Sequence, residues 1–331
     1  MKKGVWGLSF ICSLIVAASF MTDCATTPDG SRGGDIRFII PNGKGGGTDK
    51  LTRFWIGLNV KSHFTDRKIK PVNIPGGATA KAMKYVLDQN GNGNIVMAVT
   101  DIFVTVPLYQ NLSFTFRDLT PIAILSDDNF VLWVHNDSPW INAQEFVQEA
   151  KKRAIMVGGT GSKQDDEIVF RGVEKAVGTR PFKYVPFKGG GFVAKALVAK
   201  KLEATVNQIS ELGAYYPDDV RPLCVFQEER LTFEGYEDVP TCREAGIPFS
   251  YHYFRGIVAP PGITEEAREE LVDLFRGISE DKDWVTFTDK VGMKRVFLTG
   301  DEMMTFLEEF EGVNKRILID QGWIKPGGKM L

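Results

Sequence analysis

A glycine-rich turn around Lys44 is the first group of residues whose types and spacing could bind an anion. The segment IPNGKGGGTDK lies between a short apolar run and a helical pattern. A phosphate loop would need a glycine where Phe38 stands and a Ser or Thr where Gly45 stands. A dinucleotide-binding turn would need its third glycine at Thr48. Neither nucleotide pattern is met.

The elements around this turn still predict a site for one small anion. A strand, a glycine turn and a helix follow one another, and the first amides of such a helix are unpaired at the positive end of its dipole. Thr48 and Asp49 are predicted to cap this helix. Asp49 could also bind a ligand's ammonium group. A tight turn without any ligand is the alternative interpretation.

The same junction recurs at residues 75–77, 158–162 and 188–191. Alternating strands and helices predict βαβ units in open, mainly parallel sheets, which bind ligands beyond the carboxyl ends of their strands. Two junctions lie in the first half of the chain and two in the middle third. We therefore expect one cleft lined from two lobes, with apolar segments 122–134 and 253–262 connecting them.

The candidate ligand-binding residues lie in these turns and at the end of a third apolar strand. They are Asn42, Gly43, Gly45, Gly46, Thr48, Asp49, Gly76, Gly77, Thr100, Asp101, Gly159, Thr160, Gly161, Ser162, Asp165, Lys188 and Gly189.

Catalytic and metal patterns are absent from the sequence. His63, His135 and His252 are scattered without metal spacing, and no Cys-x-x-Cys or Gly-x-Ser-x-Gly motif occurs. The sequence therefore predicts a binding protein that uses no metal or cofactor. Among the four cysteines, Cys224 and Cys242 are interpreted as a strand residue and a helix-start residue rather than as a disulfide.

The composition indicates a globular chain that is long enough for two lobes. It has 331 residues, of which 43% are hydrophobic and 25% charged, and its formal net charge is -2. A charge balance of this kind does not indicate nucleic-acid binding.

The first 24 residues have the layout of a secretory signal, with two lysines before an apolar core. Cleavage is expected after Ser19, or alternatively Cys24 is lipidated. Residues 25–34 would then form a flexible tether. The mature protein is predicted to be periplasmic or otherwise extracytoplasmic, with an anchor at Cys24 as the second alternative.

A series of short motifs along the mature chain resembles one known family. The motifs are Pro41, Gly45-Gly46-Gly47-Thr48-Asp49, Arg53, Asn73-Ile74-Pro75-Gly76-Gly77, Gly161-Ser162, Val185-Pro186-Phe187-Lys188-Gly189-Gly190-Gly191, Val239-Pro240-Thr241, Arg255-Gly256 and Ala259-Pro260. The chain is similar to the substrate-binding receptors of tripartite tricarboxylate transporters, also called Bug-type solute receptors.

The resemblance implies an α/β protein with the two-lobed type II periplasmic-binding-protein fold. Residues 35–130 and 254–331 would form one lobe and 131–253 the other. The loops at 42–49 and 159–162 would grip a small carboxylate, and a monomeric receptor would deliver it to a membrane permease. A sensor for a membrane signalling partner and an α/β enzyme acting on an anionic substrate are the alternatives.

Three departures from the family pattern bear on the ligand. The first loop contains Lys44, Thr205 stands where an aspartate is common, and Asp165 stands where a histidine is frequent. Asp165 is either a favourable charge at a helix start or a group that faces the cleft. In the second case it would disfavour a second ligand carboxylate and favour a monocarboxylate or an amino-bearing acid.

Overall fold

The structure is a computed structural model that describes residues 34–326. Eleven strands lie in that range: β1 (Ile36–Ile40), β2 (Ile69–Asn73), β3 (Ile95–Thr100), β4 (Thr120–Asp128), β5 (Phe130–His135), β6 (Met156–Thr160), β7 (Lys183–Phe187), β8 (Ala204–Gln208), β9 (Val220–Val225), β10 (Tyr253–Ala259) and β11 (Met293–Leu298). The predicted leader, the cleavage site and the lipidated Cys24 fall outside the described residues.

Ten α-helices occur in the same range. They are α1 (Gly47–Ser62), α2 (Ala80–Leu87), α3 (Ile102–Tyr109), α4 (Ala143–Lys152), α5 (Asp165–Val177), α6 (Gly190–Val198), α7 (Ile209–Leu212), α8 (Glu265–Glu280), α9 (Lys282–Val291) and α10 (Gly300–Asp320). Across residues 34–326, none of these helices is both long and apolar enough to cross a membrane.

The strands form two sheets, and each sheet is flanked by helices. The first sheet has the order β11-β4-β10-β3-β1-β2, and the second has the order β7-β6-β8-β5-β9. We call the part built on the first sheet the first lobe and the part built on the second sheet the second lobe. The two-lobed α/β class predicted from the sequence is confirmed.

The sheets are mixed, with antiparallel strands beside the predicted parallel βαβ units. β1 is parallel to β2 and β3, and β6 is parallel to β7 and β8. In contrast, β10 is antiparallel to β3 and β4, and β5 is antiparallel to β8 and β9. The physical reason is that β5 and β10 are the strands that enter each sheet from the other lobe.

The first of the two passages between the lobes, from β4 to β5, is short. β4 ends at Asp128 in the first sheet and β5 begins at Phe130 in the second, so that only Asn129 lies between them. Its side-chain amide donates to the carbonyl of Gly292, at 2.7 Å. Helix α10 packs against α3 of the first lobe and α5 of the second.

One buried aromatic group joins the packing around this passage. Tyr251 stacks near Phe130 and Phe310, with ring centroids 5.8 and 5.5 Å away, and its hydroxyl donates to Asn314 at 3.0 Å. The side chains of Tyr251 and Asn314 are both buried. Burial with a satisfied hydroxyl lets this tyrosine contribute its full apolar area to the core.

Cys224 and Cys242 form a disulfide, which corrects the expectation that they do not pair. Cys224 lies in β9 as predicted, but Cys242 lies in a turn rather than at a helix start. Their Cα atoms are 4.9 Å apart. The two cysteines are 18 positions apart in sequence, and no motif in the sequence indicated their proximity. The chain brings them together by folding back beside β9, through the bridge between Val225 and Thr241.

Candidate functional site

A cavity of about 700 Å³ lies between the two lobes. Two of the predicted glycine turns meet there, one before α1 in the first lobe and the other before α6 in the second. The glycines that line the cavity are Gly45, Gly46, Gly47, Gly189, Gly190 and Gly191. Two helix N-termini from opposite lobes therefore face one space.

The turn before α1 is built around the buried carboxylate of Asp49. This carboxylate accepts hydrogen bonds from the amide of Gly45 at 2.9 Å, Nε of Arg53 at 3.0 Å and Nδ2 of Asn73 at 2.9 Å. The bonds from Arg53 and Gly45 outweigh the effect of burial and lower the pKa of Asp49. Asp49 is thus a permanent anion that fixes the turn, and its oxygens are engaged inside it.

Capping of α1 differs from the sequence expectation. Gly46 is the N-cap residue, and no side chain caps it by a hydrogen bond. Thr48 lies inside the first turn, and Asp49 reaches back to the amide of Gly45 instead of capping the helix at its own position. The prediction that Thr48 caps the helix was therefore wrong, because the helix starts at Gly47, one residue earlier.

Four cations and one acid line the cavity: Lys50, Lys188, Lys195, Arg255 and Glu211. The three lysines are exposed, whereas Arg255 is buried. Its Nε and Nη2 atoms donate to Asp128 Oδ2 at 2.8 and 2.7 Å. Burial alone would lower the pKa of Arg255, but the charge of Asp128, its hydrogen bond and the charges of Tyr253 and Glu211 together raise it. The guanidinium is therefore a charged group held in place on the cavity wall.

Glu211 already places a carboxylate at the N-terminus of α6. A Cβ atom on Gly190 would overlap Oε1 of Glu211. Asn207 donates to Oε2 at 2.5 Å, and the Thr205 hydroxyl lies 2.6 Å from Oδ1 of Asn207. Burial raises the pKa of Glu211. Thr205, the departure noted in the sequence, thus supports Asn207 and through it Glu211.

Apart from Ser210, the remaining wall of the cavity is largely apolar. Its side chains are Leu51, Phe54, Phe192, Tyr215, Phe287 and Met293. Phe192, on α6, is 61% exposed although it is a large hydrophobic residue.

A second group of acids, outside the cavity lining, lies where α3 and α5 begin. Asp101, Asp165 and Asp166 are all buried. Burial and then the charge of Asp165 raise the pKa of Asp101. Burial raises the pKa of Asp165 to about 7, with a further contribution from Glu211. Arg255 acts electrostatically on both Asp101 and Asp165, so this acidic group borders the cavity wall.

The structure brings four of the sequence candidates into the cavity: Gly45, Gly46, Lys188 and Gly189. Asn42, Gly43, Gly76 and Gly77 are exposed on the first lobe but do not line it, and Thr48 and Asp49 lie within α1 beside it. Thr100 ends β3 in register with Arg255.

The polar groups of the turn before α5 are already paired within the second lobe. The amide of Thr160 donates to Asp166, that of Gly161 donates to the carbonyl of Phe187 at 2.9 Å, and the Ser162 hydroxyl donates to Glu167 at 3.1 Å. Gly159 is required there, since a Cβ atom would overlap that of Asp166. This turn, with Asp165 after it, does not line the cavity.

Several lining residues were missed by the sequence analysis. Lys50, Leu51 and Phe54 follow Gly47 at helical spacing, so extending the helix from the turn would have found them. Arg255 could also have been found, because a charged residue in an otherwise apolar strand indicates a paired or functional charge. The proximity of Phe192 and Glu211 to these residues had no sequence signal, because it depends on how the lobes meet.

The arrangement has the features of an anion-binding site. Two helix N-termini and a fixed guanidinium provide charge and donors, and the described residues contain no group of three His, Cys, Asp or Glu side chains placed to hold a metal ion. Two α/β lobes with such a cleft between them define the class of solute-binding receptors.

The chain belongs to the tripartite tricarboxylate transporter receptor family, whose model matches residues 69–322. This confirms the resemblance seen in the motifs, and the chain is a receptor rather than an enzyme. A UPF0065 protein of Bordetella pertussis is 25% identical over 287 residues, which cover 83% of this chain and 85% of that protein.

Solved structures share the fold. A TctC solute-binding protein from Polaromonas, determined without ligand, is 26% identical with a TM-score of 0.74, covering 86% of this chain and 98% of that one. MatC from Rhodopseudomonas palustris with bound malate is 21% identical with a TM-score of 0.67, covering 86% of this chain and 97% of that one.

Proposed function

We propose that this receptor binds a small organic carboxylate in the cleft between its lobes and delivers it to the membrane permease of a tripartite transporter. The observation that carries the proposal is the meeting of the turns before α1 and α6 in one cavity beside Arg255. A structural neighbour, MatC, holds malate, which supports a carboxylate as the ligand.

The ligand carboxylate would sit at the N-terminus of α1, because the amides there have no helical partners and the dipole favours an anion. Gly45 and Gly46 have no side chains that would block the ligand carboxylate. Lys188 and Gly189 of the second lobe would contact the ligand when the cleft closes. We propose that residues 35–130 with 254–331, and 131–253, move as the two units of this closure. Excluding water would strengthen every charge interaction in the cleft.

The receptor works outside the cytoplasm in this proposal. Its leader would be removed after Ser19 or at Cys24, and a lipid on Cys24 would keep the monomeric receptor near the permease. Mass analysis of the protein from its native envelope tests this. An unprocessed form that begins at Met1 and stays in the cytoplasm would contradict it.

Isothermal titration with a panel of small organic acids tests the binding function. We expect saturable binding of at least one acid at micromolar affinity, about -8 kcal/mol. The acid should be recovered unchanged after long incubation. Absence of binding by every acid, or recovery of an altered acid, would overturn the proposed function.

A further inference from the structure

We propose that the preferred ligand is a monocarboxylate with a bulky apolar body, and that aromatic acids fit the cleft best. This inference rests on the proposed function and specifies the ligand class for the same cavity.

The first support is the apolar wall, which comes from both lobes. Phe54 and Phe287 pack against each other in the first lobe with ring centroids 4.6 Å apart. Phe192, from the second lobe, lines the same cavity and is 61% exposed. An exposed phenylalanine gains free energy when a ligand covers it, and an aromatic ring between aromatic side chains gains further.

The second support is size. A cavity of about 700 Å³ lies within the range typical of sites for drug-sized ligands, roughly 300 to 1,000 Å³. A four-carbon diacid would fill a small part of it and leave the apolar wall in contact with water. A carboxylate that carries a ring would cover this wall.

The third support is the placement of charge. At the N-terminus of α6, the carboxylate of Glu211 already occupies the position next to Gly190. Beyond Arg255 lie the buried side chains of Asp101 and Asp165. These groups leave the N-terminus of α1 as the one helix N-terminus in the cavity that is free for a ligand carboxylate.

A direct comparison of acids tests the inference on the full mature protein. Competition titrations would use 3-phenylpropionate and phenylacetate against propionate, succinate and citrate. We expect the two phenyl acids to bind about tenfold more tightly than propionate and succinate, since only they cover the aromatic wall. Tighter binding of succinate or citrate would overturn the inference while leaving the receptor function intact. Failure of every acid to bind would overturn both.

A pair of variants assigns the effect to the cleft. Phe192→Ala removes the exposed ring from the cavity wall, whereas Ile141→Ala removes an apolar side chain that is 73% exposed elsewhere on the second lobe. We expect Phe192→Ala to weaken 3-phenylpropionate binding about tenfold. Its loss of propionate affinity should be smaller, because propionate covers less of the ring, and its thermal midpoint should stay unchanged. Ile141→Ala should change none of these. Equal affinity of Phe192→Ala and the parent protein for 3-phenylpropionate would overturn the inference.

Discussion

The carboxylate of Glu211 lies against the backbone of Gly190, so closely that a Cβ atom on this glycine would overlap Oε1. Gly190 is the first residue of α6, and the N-terminus of a helix attracts anions. The receptor thus supplies its own anion at one of the two helix N-termini that line the cleft. The N-terminus of α1 has no such side chain in the cavity, because Asp49 points back into its turn.

Replacing Glu211 tests whether this built-in carboxylate limits the charge of the ligand. In Glu211→Gln the anion is lost while the hydrogen-bonding shape is kept, so a second ligand carboxylate would find a favourable position at α6. We expect the ratio of succinate to propionate affinity to rise several-fold, on the order of 1 kcal/mol. Competition titrations measure this ratio.

The matched control is Glu237→Gln, which neutralises an exposed glutamate outside the cleft. It should leave the ratio unchanged. If Glu211→Gln behaves like this control, the carboxylate at α6 has no part in ligand selection.

Gly46→Val tests the turn before α1. A Cβ atom on Gly46 would be 3.4 Å from the carbonyl oxygen of Gly43, which is an ordinary contact, so the variant should fold. A branched side chain at the N-cap would cover the amides that bind the carboxylate, and we expect about a tenfold or greater loss of affinity by titration.

Gly57→Val is the control for this substitution, because Gly57 is an exposed residue farther along α1 with open space around it. It should bind like the parent protein. Unchanged affinity in a folded Gly46→Val protein would remove this turn from the site, and an equal loss in both variants would point to the helix rather than the cleft.

Asp165→Asn tests the departure from the family pattern. Replacing this buried carboxyl, whose pKa is about 7, should shift preference toward acids with more carboxylates when measured above pH 7, because a second ligand carboxylate would meet less repulsion. The readout is the rank order of mono-, di- and tricarboxylates in competition against both proteins.

Asp273→Asn, an exposed position on α8, provides the comparison. An identical rank order in Asp165→Asn, Asp273→Asn and the parent would leave Asp165 as a charge at the start of α5 with no influence on the ligand.

The stability of the ligand-free protein should fall as the pH rises from about 4 to 8. Burial raises the pKa of Asp165 from 3.8 to about 7, and the pKa values of Asp101, Asp166 and Glu211 are also raised, while Arg255 opposes the shift at Asp165. A raised folded-state pKa means that the folded protein binds the proton more tightly. Its stabilising contribution is complete below the unfolded value and is lost as the pH passes the folded value.

Chemical denaturation at several pH values measures this dependence, with the midpoint and slope determined at each. Asp165→Asn should give a flatter profile than the parent, because the amide does not titrate. A profile that rises between pH 4 and pH 8 would show that other groups dominate the titration.

The local parts of this architecture could be predicted from sequence, and the contacts between distant parts could not. Glycine turns, helix starts and apolar strands depend on neighbouring residues, which is why a strand-to-helix junction was predicted before each of α1, α2, α5 and α6. The exact bounds differ, because β6 continues to Thr160 and α6 already begins at Gly190. The pairing of Cys224 with Cys242 and the approach of Glu211 to Gly190 depend on how separate segments fold together. For the same reason, the sequence suggested four equivalent turns, whereas two of them line the cavity.

The single residue between β4 and β5 limits how the receptor can open. Between the two strands, only the φ and ψ angles of Asn129 are outside regular strand structure. The side-chain amide of Asn129 is also hydrogen-bonded to the carbonyl of Gly292. Helix α10 and the strand β10 constrain the same passage from other directions. We expect the open forms to be a narrow set related by rotation about one axis. Closing on a ligand would then cost little conformational entropy, so most of the contact free energy would appear as affinity.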